Sequence, residues 1–142
     1  MSDRALRLAA AFVALAGIGV AGYLSWAHYT NNVVACVAGG SCETVQESEY
    51  ATVAGIPVAV LGLVSYTLIL ALIAWDSPVA RLLAATMAFV GLLFGAYLMA
   101  LQLFVIDAVC IWCIANDVLI APALAVLTAL RLWSDWGQTP RV

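Results

Sequence analysis

Charge is scarce in this sequence, and lysine is missing altogether. Only 9% of the 142 residues are charged, histidine occurs once, and 66% of the residues are apolar. A soluble globule of this length needs more polar surface than these residues supply. The five arginines are scattered along the chain, which excludes the clustered basic patch that nucleic-acid binding requires. The composition therefore indicates a protein whose main solvent is membrane lipid.

Uncharged apolar stretches occupy most of the chain. A helix needs about 20 predominantly apolar residues to cross a bilayer. The first stretch follows two arginines but is longer than the roughly 7 to 15 apolar residues of a signal-peptide core, so we expect it to be retained. We predict one domain over residues 1–142, an all-α bundle of four transmembrane helices at about 6–27, 52–75, 81–105 and 108–132.

The placement of the arginines predicts the topology. All five lie at the termini or in the connection between the second and third predicted helices, at Arg4, Arg7, Arg81, Arg131 and Arg141. With four crossings these segments share one side, and basic residues favour the cytoplasmic side. We therefore expect a multi-pass protein of the cell membrane with both termini in the cytoplasm. The loop from about His28 to Tyr50 and the turn at Asp107 are then extracytoplasmic.

The four cysteines form two close pairs on the predicted outer side. Cys36 and Cys42 lie in the long loop, separated by a flexible segment, and Cys110 and Cys113 form a C-x-x-C motif at the start of the fourth helix. An oxidising compartment favours disulfides, and a helix start stabilises a thiolate. Four cysteines allow three pairings, which the sequence does not distinguish. The pattern indicates disulfide redox chemistry.

Local helix signals place a cysteine from each pair near a helix start. Ser41 is the expected N-cap of a short half-helix in the outer loop, with Cys42 in its first turn, and Asp107 is the expected cap of the fourth helix, with Cys110 in its first turn. Such a half-helix would hold Cys42 closer to the membrane than Cys36. Successive thiolate attacks on disulfides can then carry electrons between the pairs.

Three other interpretations fit parts of this pattern. Two close cysteine pairs also suit a zinc site, but the compartment is oxidising, and we predict no metal. Two static disulfides would make the chain a non-enzymatic membrane scaffold, which is the main alternative. A reductive thiol transporter would need a dithiol on the cytoplasmic side, where no cysteine falls.

The combination of these elements resembles the bacterial, disulfide-forming branch of the vitamin K epoxide reductase family. The matching elements are the loop pair Cys36 and Cys42, Ser48 six residues further on, the run GIPVAVLGLVSY from Gly55 to Tyr66, and Cys110-Ile-Trp-Cys113. The resemblance implies that a thioredoxin-like extracytoplasmic partner is oxidised at Cys36. Electrons would then pass to Cys42, to Cys110, and from Cys113 to a quinone, either menaquinone or ubiquinone. Such an enzyme supports disulfide formation in exported proteins.

Ser48 and Asp117 are the further candidate site residues. Ser48 matches a family Ser/Thr near the active site, although a polar residue on a solvated half-helix needs no such role. Asp117 follows Cys113 by one helical turn, and an ionisable group within a membrane span is a functional candidate. One hypothesis is that it supplies or relays a proton to the quinone oxygen. The alternative is a structural hydrogen bond to a backbone carbonyl, for example that of Val118, which Pro122 leaves without its helical donor.

Two positions depart from the vertebrate members of the family. This chain has Val58 where they carry an Asn at the start of the second helix, and Asp117 where they carry a Tyr. Both family residues hydrogen-bond the vitamin K head group, so their replacement favours simple quinone reduction over epoxide reduction. Many bacterial members also carry a fused thioredoxin-like domain. The sequence ends shortly after the fourth helix, and we expect the partner to act in trans.

Overall fold

A computed structural model describes residues 2–31 and 42–138, apart from the side chains at 43 and 46. Four helical spans account for most of these residues. Helix α1 is Asp3–Thr30, and a short helix α2, Cys42–Glu47, precedes a single 3-10 turn. The remaining helices are α3 (Val58–Trp75), α4 (Pro78–Leu101), α5 (Ile111–Ala115) and α6 (Ala121–Gln138). Helix α2 agrees with the half-helix predicted between the first two spans, whereas its proposed cap at Ser41 lies outside the described residues.

Within the described residues, four helices are long and apolar enough to cross a membrane. They are Asp3–Thr30, Val58–Trp75, Pro78–Ile106 and Ile111–Gln138, which we call spans 1 to 4. Spans 3 and 4 each contain one π-helical turn, at Gln102–Ile106 and Asn116–Ile120. Large apolar side chains such as Phe12, Phe104 and Trp133 are exposed on the outside of the bundle, where they suit a lipid solvent. The predicted all-α multi-pass membrane bundle is confirmed.

Small residues bring the spans into contact. The buried positions of α1 include Ala10, Ala14 and Gly17, and those of α4 include Ala84 and Ala88. Helix α1 packs on α3 and α6, and α4 packs on the same two helices. Small side chains allow helix backbones to approach closely in lipid, where water does not drive their association. The resulting core runs along the bundle axis.

Charged side chains hold one end of the bundle together, and we call this the charged end. Asp76 terminates α3 and accepts hydrogen bonds from Arg81 Nε at 2.9 Å and from Arg131 at 2.5 Å. Arg7 of α1 donates to the carbonyl oxygens of Ile73 and Ala74 at the end of α3. These bonds connect all four spans, and both ends of the described chain lie near them.

A short hairpin precedes span 2. Strands β1 (Thr52–Val53) and β2 (Ile56–Pro57) pair in antiparallel register. Their turn uses positive φ at Ala54 (52°) and Gly55 (83°), and Pro57 is the N-cap of α3. The second helix therefore begins at Val58, not near residue 52 as predicted. The left-handed turn, which glycine adopts without strain, and the following proline keep residues 52–57 out of the helix.

The start of span 4 also differs from the prediction. Asp107 has φ of 51° and ends the π-helical turn of span 3, while Cys110 is the N-cap of a helix that begins at Ile111. The Asp107 and Ala108 amides both bond to the Gln102 carbonyl. Asp107 therefore ends span 3, and Cys110 is the residue that caps the next helix. The prediction that Asp107 caps the fourth helix is wrong.

Candidate active site around the C-x-x-C motif

The described cysteines differ in how their sulfur atoms are bonded. Cys42, the first residue of α2, is in a disulfide and is 1% exposed. Cys110 and Cys113 are thiols, hydrogen-bonded to each other; Cys110 is 0% exposed and Cys113 is half-buried. Cys36, the predicted entry cysteine, lies outside the described residues. The structure therefore brings a disulfide-bonded loop cysteine into the same region as the hydrogen-bonded pair of the C-x-x-C motif.

Helix α2 packs onto the C-x-x-C motif. Cys42 and Val45 of α2 belong to the same buried cluster as Ala108 and Cys110, and Cys113 packs against that cluster. The half-helix therefore covers the mouth of the bundle at the end opposite the charged end. A loop cysteine and the first cysteine of the motif therefore share one buried environment.

Gln102 holds the first cysteine of the motif in place. Its side chain is 2% exposed, and its Oε1 accepts a hydrogen bond from the Cys110 backbone amide at 3.0 Å. The same residue's carbonyl accepts the two amides of the Asp107 turn. Sequence reasoning missed Gln102, although a lone amide side chain in an otherwise apolar span was the available signal.

A cavity of about 190 Å³ lies between the spans beside Cys113. Most of its lining is apolar, and its polar lining includes Ser48, Gln102, Asn116 and Asp117. Val58 also lines it, so both positions that depart from the vertebrate pattern border the same space. Ser48 reaches the cavity, but its hydroxyl donates to the Val45 carbonyl at 2.8 Å. Both predicted site residues, Ser48 and Asp117, therefore line the same cavity as Cys113.

Asp117 is held on one side only. Its Oδ1 accepts a hydrogen bond from Asn116 Nδ2 at 2.9 Å. Its Oδ2 is buried and has no hydrogen-bond partner among the described residues. The alternative structural role, a hydrogen bond to a backbone carbonyl, is therefore not seen in this part of the chain. A buried polar atom without a partner costs free energy and marks a place where a ligand atom fits.

Tyr66 completes a hydrogen-bonded row that sequence reasoning did not anticipate. The Tyr66 hydroxyl, from span 2, donates to Asn116 Oδ1 at 2.5 Å. Asn116 in turn donates to Asp117, so the three side chains form a continuous row beside Cys113. Tyr66 lies within the GIPVAVLGLVSY run, but no local pattern indicates that it reaches span 4.

The cavity suits a flat apolar ring that carries an oxygen. Apolar side chains provide most of its lining, and the unpartnered Asp117 oxygen offers a polar contact near Cys113. Small-molecule sites commonly combine such an apolar lining with a few placed polar groups. The residues present therefore fit a ring such as that of a quinone, and Cys113 lies on the wall of the cavity.

Comparison with known protein families agrees with the cysteine pattern. A model of the Vitamin K epoxide reductase family matches residues 8–128. The matched region includes both cysteine pairs, Ser48 and Asp117, as well as all four spans over most of their length. The family inferred from the cysteines and the GIPVAVLGLVSY run is confirmed, and the match indicates a membrane thiol oxidoreductase.

Proposed function

Because the chain belongs to the vitamin K epoxide reductase family, we propose that it oxidises a thioredoxin-like extracytoplasmic partner and passes the electrons to a quinone. The partner dithiol becomes a disulfide and the quinone becomes a quinol, with two electrons and two protons transferred. The oxidised partner then introduces disulfides into exported proteins. The observation that carries this proposal is the position of Cys113 on the wall of the cavity that also contains Asp117.

The entry half of the pathway uses the loop pair. A partner thiolate attacks Cys36 in a Cys36–Cys42 disulfide, and a second partner thiolate releases the loop pair as a dithiol. The Cys42 thiolate then attacks Cys110 in a Cys110–Cys113 disulfide, which forms a Cys42–Cys110 mixed disulfide and releases the Cys113 thiolate. The Cys36 thiolate attacks Cys42 in turn, which re-forms the Cys36–Cys42 disulfide and leaves Cys110 and Cys113 as a dithiol. The burial of Cys42 and Cys110 in one cluster supports this exchange.

The exit half uses the cavity. Oxidation of the Cys110–Cys113 dithiol to a disulfide releases two electrons and two protons. A bound quinone accepts the two electrons and the two protons and becomes a quinol. Asp117 is proposed to donate a proton to the quinone oxygen and to regain one from the Cys113 side. Its unpartnered Oδ2 supports this role. The quinone class, menaquinone or ubiquinone, depends on which is present in the membrane.

The orientation follows from the two ends of the bundle. Arg7, Arg81 and Arg131 lie at the charged end, opposite Cys42 and Cys110. Basic residues favour the cytoplasmic side, so we place the charged end and both termini in the cytoplasm. The C-x-x-C motif and α2 then face the oxidising side of the cell membrane.

An anaerobic assay tests the proposed function. Purified protein is mixed with a reduced thioredoxin-like donor and a soluble quinone, and quinol formation is followed for the wild type, Cys36→Ala and Cys113→Ala. We expect turnover only in the wild type, with Cys36→Ala rescued by a small dithiol that reduces the inner pair directly. Cys113→Ala should not be rescued. Equal inactivity of all three proteins with several quinones would support the scaffold instead.

A further inference from the structure

Tyr66 connects two spans at the cavity, and the proposed electron path does not use it. Its ring is buried within the bundle core, and its hydroxyl reaches 50 positions along the chain to Asn116 Oδ1. A buried hydroxyl costs free energy unless it is hydrogen-bonded. The Asn116 amide satisfies this hydroxyl, but an apolar residue at position 66 would avoid the cost entirely. The Tyr66–Asn116 hydrogen bond therefore points to a role for Tyr66 other than packing.

Two glycines leave room for the ends of this row. A Cβ atom at Gly17 of α1 would approach the Tyr66 ring to 2.7 Å, and one at Gly95 of α4 would approach Asp117 Oδ1 to 2.8 Å. Both distances are shorter than a Cβ atom tolerates, so neither position has room for a side chain. Helices α1 and α4 thus both accommodate the Tyr66–Asn116–Asp117 row, which is fitted into the bundle from two sides.

The bonds within the row have a defined direction. Asn116 accepts from the Tyr66 hydroxyl with Oδ1, which turns Nδ2 towards Asp117 Oδ1. An amide has one accepting and one donating end, so with Oδ1 bonded to the Tyr66 hydroxyl, the donating end faces the carboxyl group. The carboxyl group is thereby held through Oδ1, and Oδ2 is left without a partner among the described residues.

We propose that Tyr66 and Asn116 are positioning residues that hold Asp117 so that its Oδ2 meets the substrate oxygen. This inference rests on the proposed quinone reduction and on Asp117 as the proton donor. The proton on Oδ2 moves to the quinone oxygen, and Asp117 is reprotonated as the Cys110–Cys113 dithiol closes to a disulfide. Asn116 and Tyr66 keep their protons throughout, so they act through orientation alone.

A double-mutant cycle tests this role. Tyr66→Phe, Asp117→Asn and the double variant are compared by the kcat and KM of quinone reduction with a saturating small dithiol. Removal of a proton donor lowers kcat by about a hundredfold, and loss of its orientation should lower kcat by about tenfold. Because both changes disable the same group, the double variant should be no slower than Asp117→Asn alone. Asn116→Ala breaks the row at a second point and should behave as Tyr66→Phe does.

Matched measurements separate positioning from general damage. Tyr97→Phe removes the hydroxyl of a 54% exposed tyrosine on α4 and should retain wild-type kcat. Exchange between the partner and the cysteines, measured without quinone, should be unchanged in Tyr66→Phe. Wild-type kcat in Tyr66→Phe, or multiplied losses in the double variant, would overturn the positioning role while leaving the proposed function intact. A wild-type protein that reduces no quinone would overturn both.

Discussion

The Oε1 atom of Gln102 accepts the backbone amide of Cys110 at 3.0 Å, so the last turn of span 3 holds the first cysteine of the C-x-x-C motif. In the proposed path, Cys110 exchanges disulfides with Cys42 and with Cys113, and a 0% exposed cysteine with two exchange partners needs a fixed backbone. The buried amide supplies this restraint without adding a charge to the membrane interior.

Replacing Gln102 by Leu should destabilise the protein and loosen the motif. The Cys110 amide loses its acceptor, and a buried donor without a partner costs about 1–3 kcal/mol. The free energy of unfolding in detergent and the rate of Cys110 alkylation measure the two effects. Gln102→Glu keeps an acceptor and should retain more exchange activity than the Leu variant.

A control in the same span makes this test specific. Thr86 of α4 is exposed, and its hydroxyl donates to the Leu82 carbonyl of its own helix. Thr86→Val should leave both the free energy of unfolding and the alkylation of Cys110 near wild type. Equal losses in Gln102→Leu and Thr86→Val would contradict the specific role of Gln102.

Gly17 and Gly19 of α1 should respond oppositely to alanine. A Cβ at Gly17 would lie 2.7 Å from the Tyr66 ring, whereas one at Gly19 has no atom within 4 Å. Gly17→Ala should therefore cost about 1–3 kcal/mol of stability through overpacking and lower quinone turnover by displacing Tyr66. Gly19→Ala should be neutral or stabilising, because alanine favours a helix by about 1 kcal/mol over glycine.

Thermal unfolding and quinone assays on the two alanine variants check this prediction. Their difference isolates the contact with Tyr66, since both changes add the same methyl group to the same helix. Similar stability and turnover in Gly17→Ala and Gly19→Ala would mean that the close approach of α1 to Tyr66 does not matter to the bundle.

The sequence predicts the bundle better than it predicts the contacts inside it. Hydropathy locates the spans because lipid requires about 20 apolar residues per crossing, and cysteine spacing indicates the redox chemistry. The start of span 2 was misplaced because hydropathy does not register the left-handed turn at Gly55. The bond from Tyr66 to Asn116 depends on how two helices are rotated about their axes, which no local pattern encodes.

Asp76 at the charged end should matter more to stability than Asp135. Asp76 accepts bonds from Arg81 and from Arg131, which is 3% exposed, whereas Asp135 reaches Arg81 at 3.6 Å. Asp76→Asn leaves a buried arginine with a weaker partner and should cost about 1–3 kcal/mol. Asp135→Asn should cost less, as expected of a more exposed pair. Denaturant unfolding of the two variants in detergent measures the difference.

The same aspartate predicts a dependence of stability on pH. Burial opposes ionisation of Asp76, but hydrogen bonds and charges from Arg81 and Arg131 outweigh this effect and lower its pKa below the ordinary value of an aspartate. An acid whose pKa is lower in the folded state stabilises that state at pH values above its unfolded-state pKa. The folded state loses this stabilisation as the pH falls through the folded-state pKa. The wild type should therefore lose stability in acid, and Asp76→Asn should lose less over the same range. Parallel curves for the two proteins would contradict this assignment.

The most direct test of the proposed path is to trap the exchange between the two cysteine pairs. In Cys36→Ala/Cys113→Ala, both thiols that would resolve a Cys42–Cys110 mixed disulfide are gone, so this link should persist once formed. The reduced double variant is oxidised with glutathione disulfide, alkylated and digested without reductant, and the linked peptides are identified by mass spectrometry. The path predicts a Cys42–Cys110 link that is absent when Cys42 is also replaced by Ala. Cys42 and Cys110 that each remain alkylated or bound to glutathione, without the link, would contradict it.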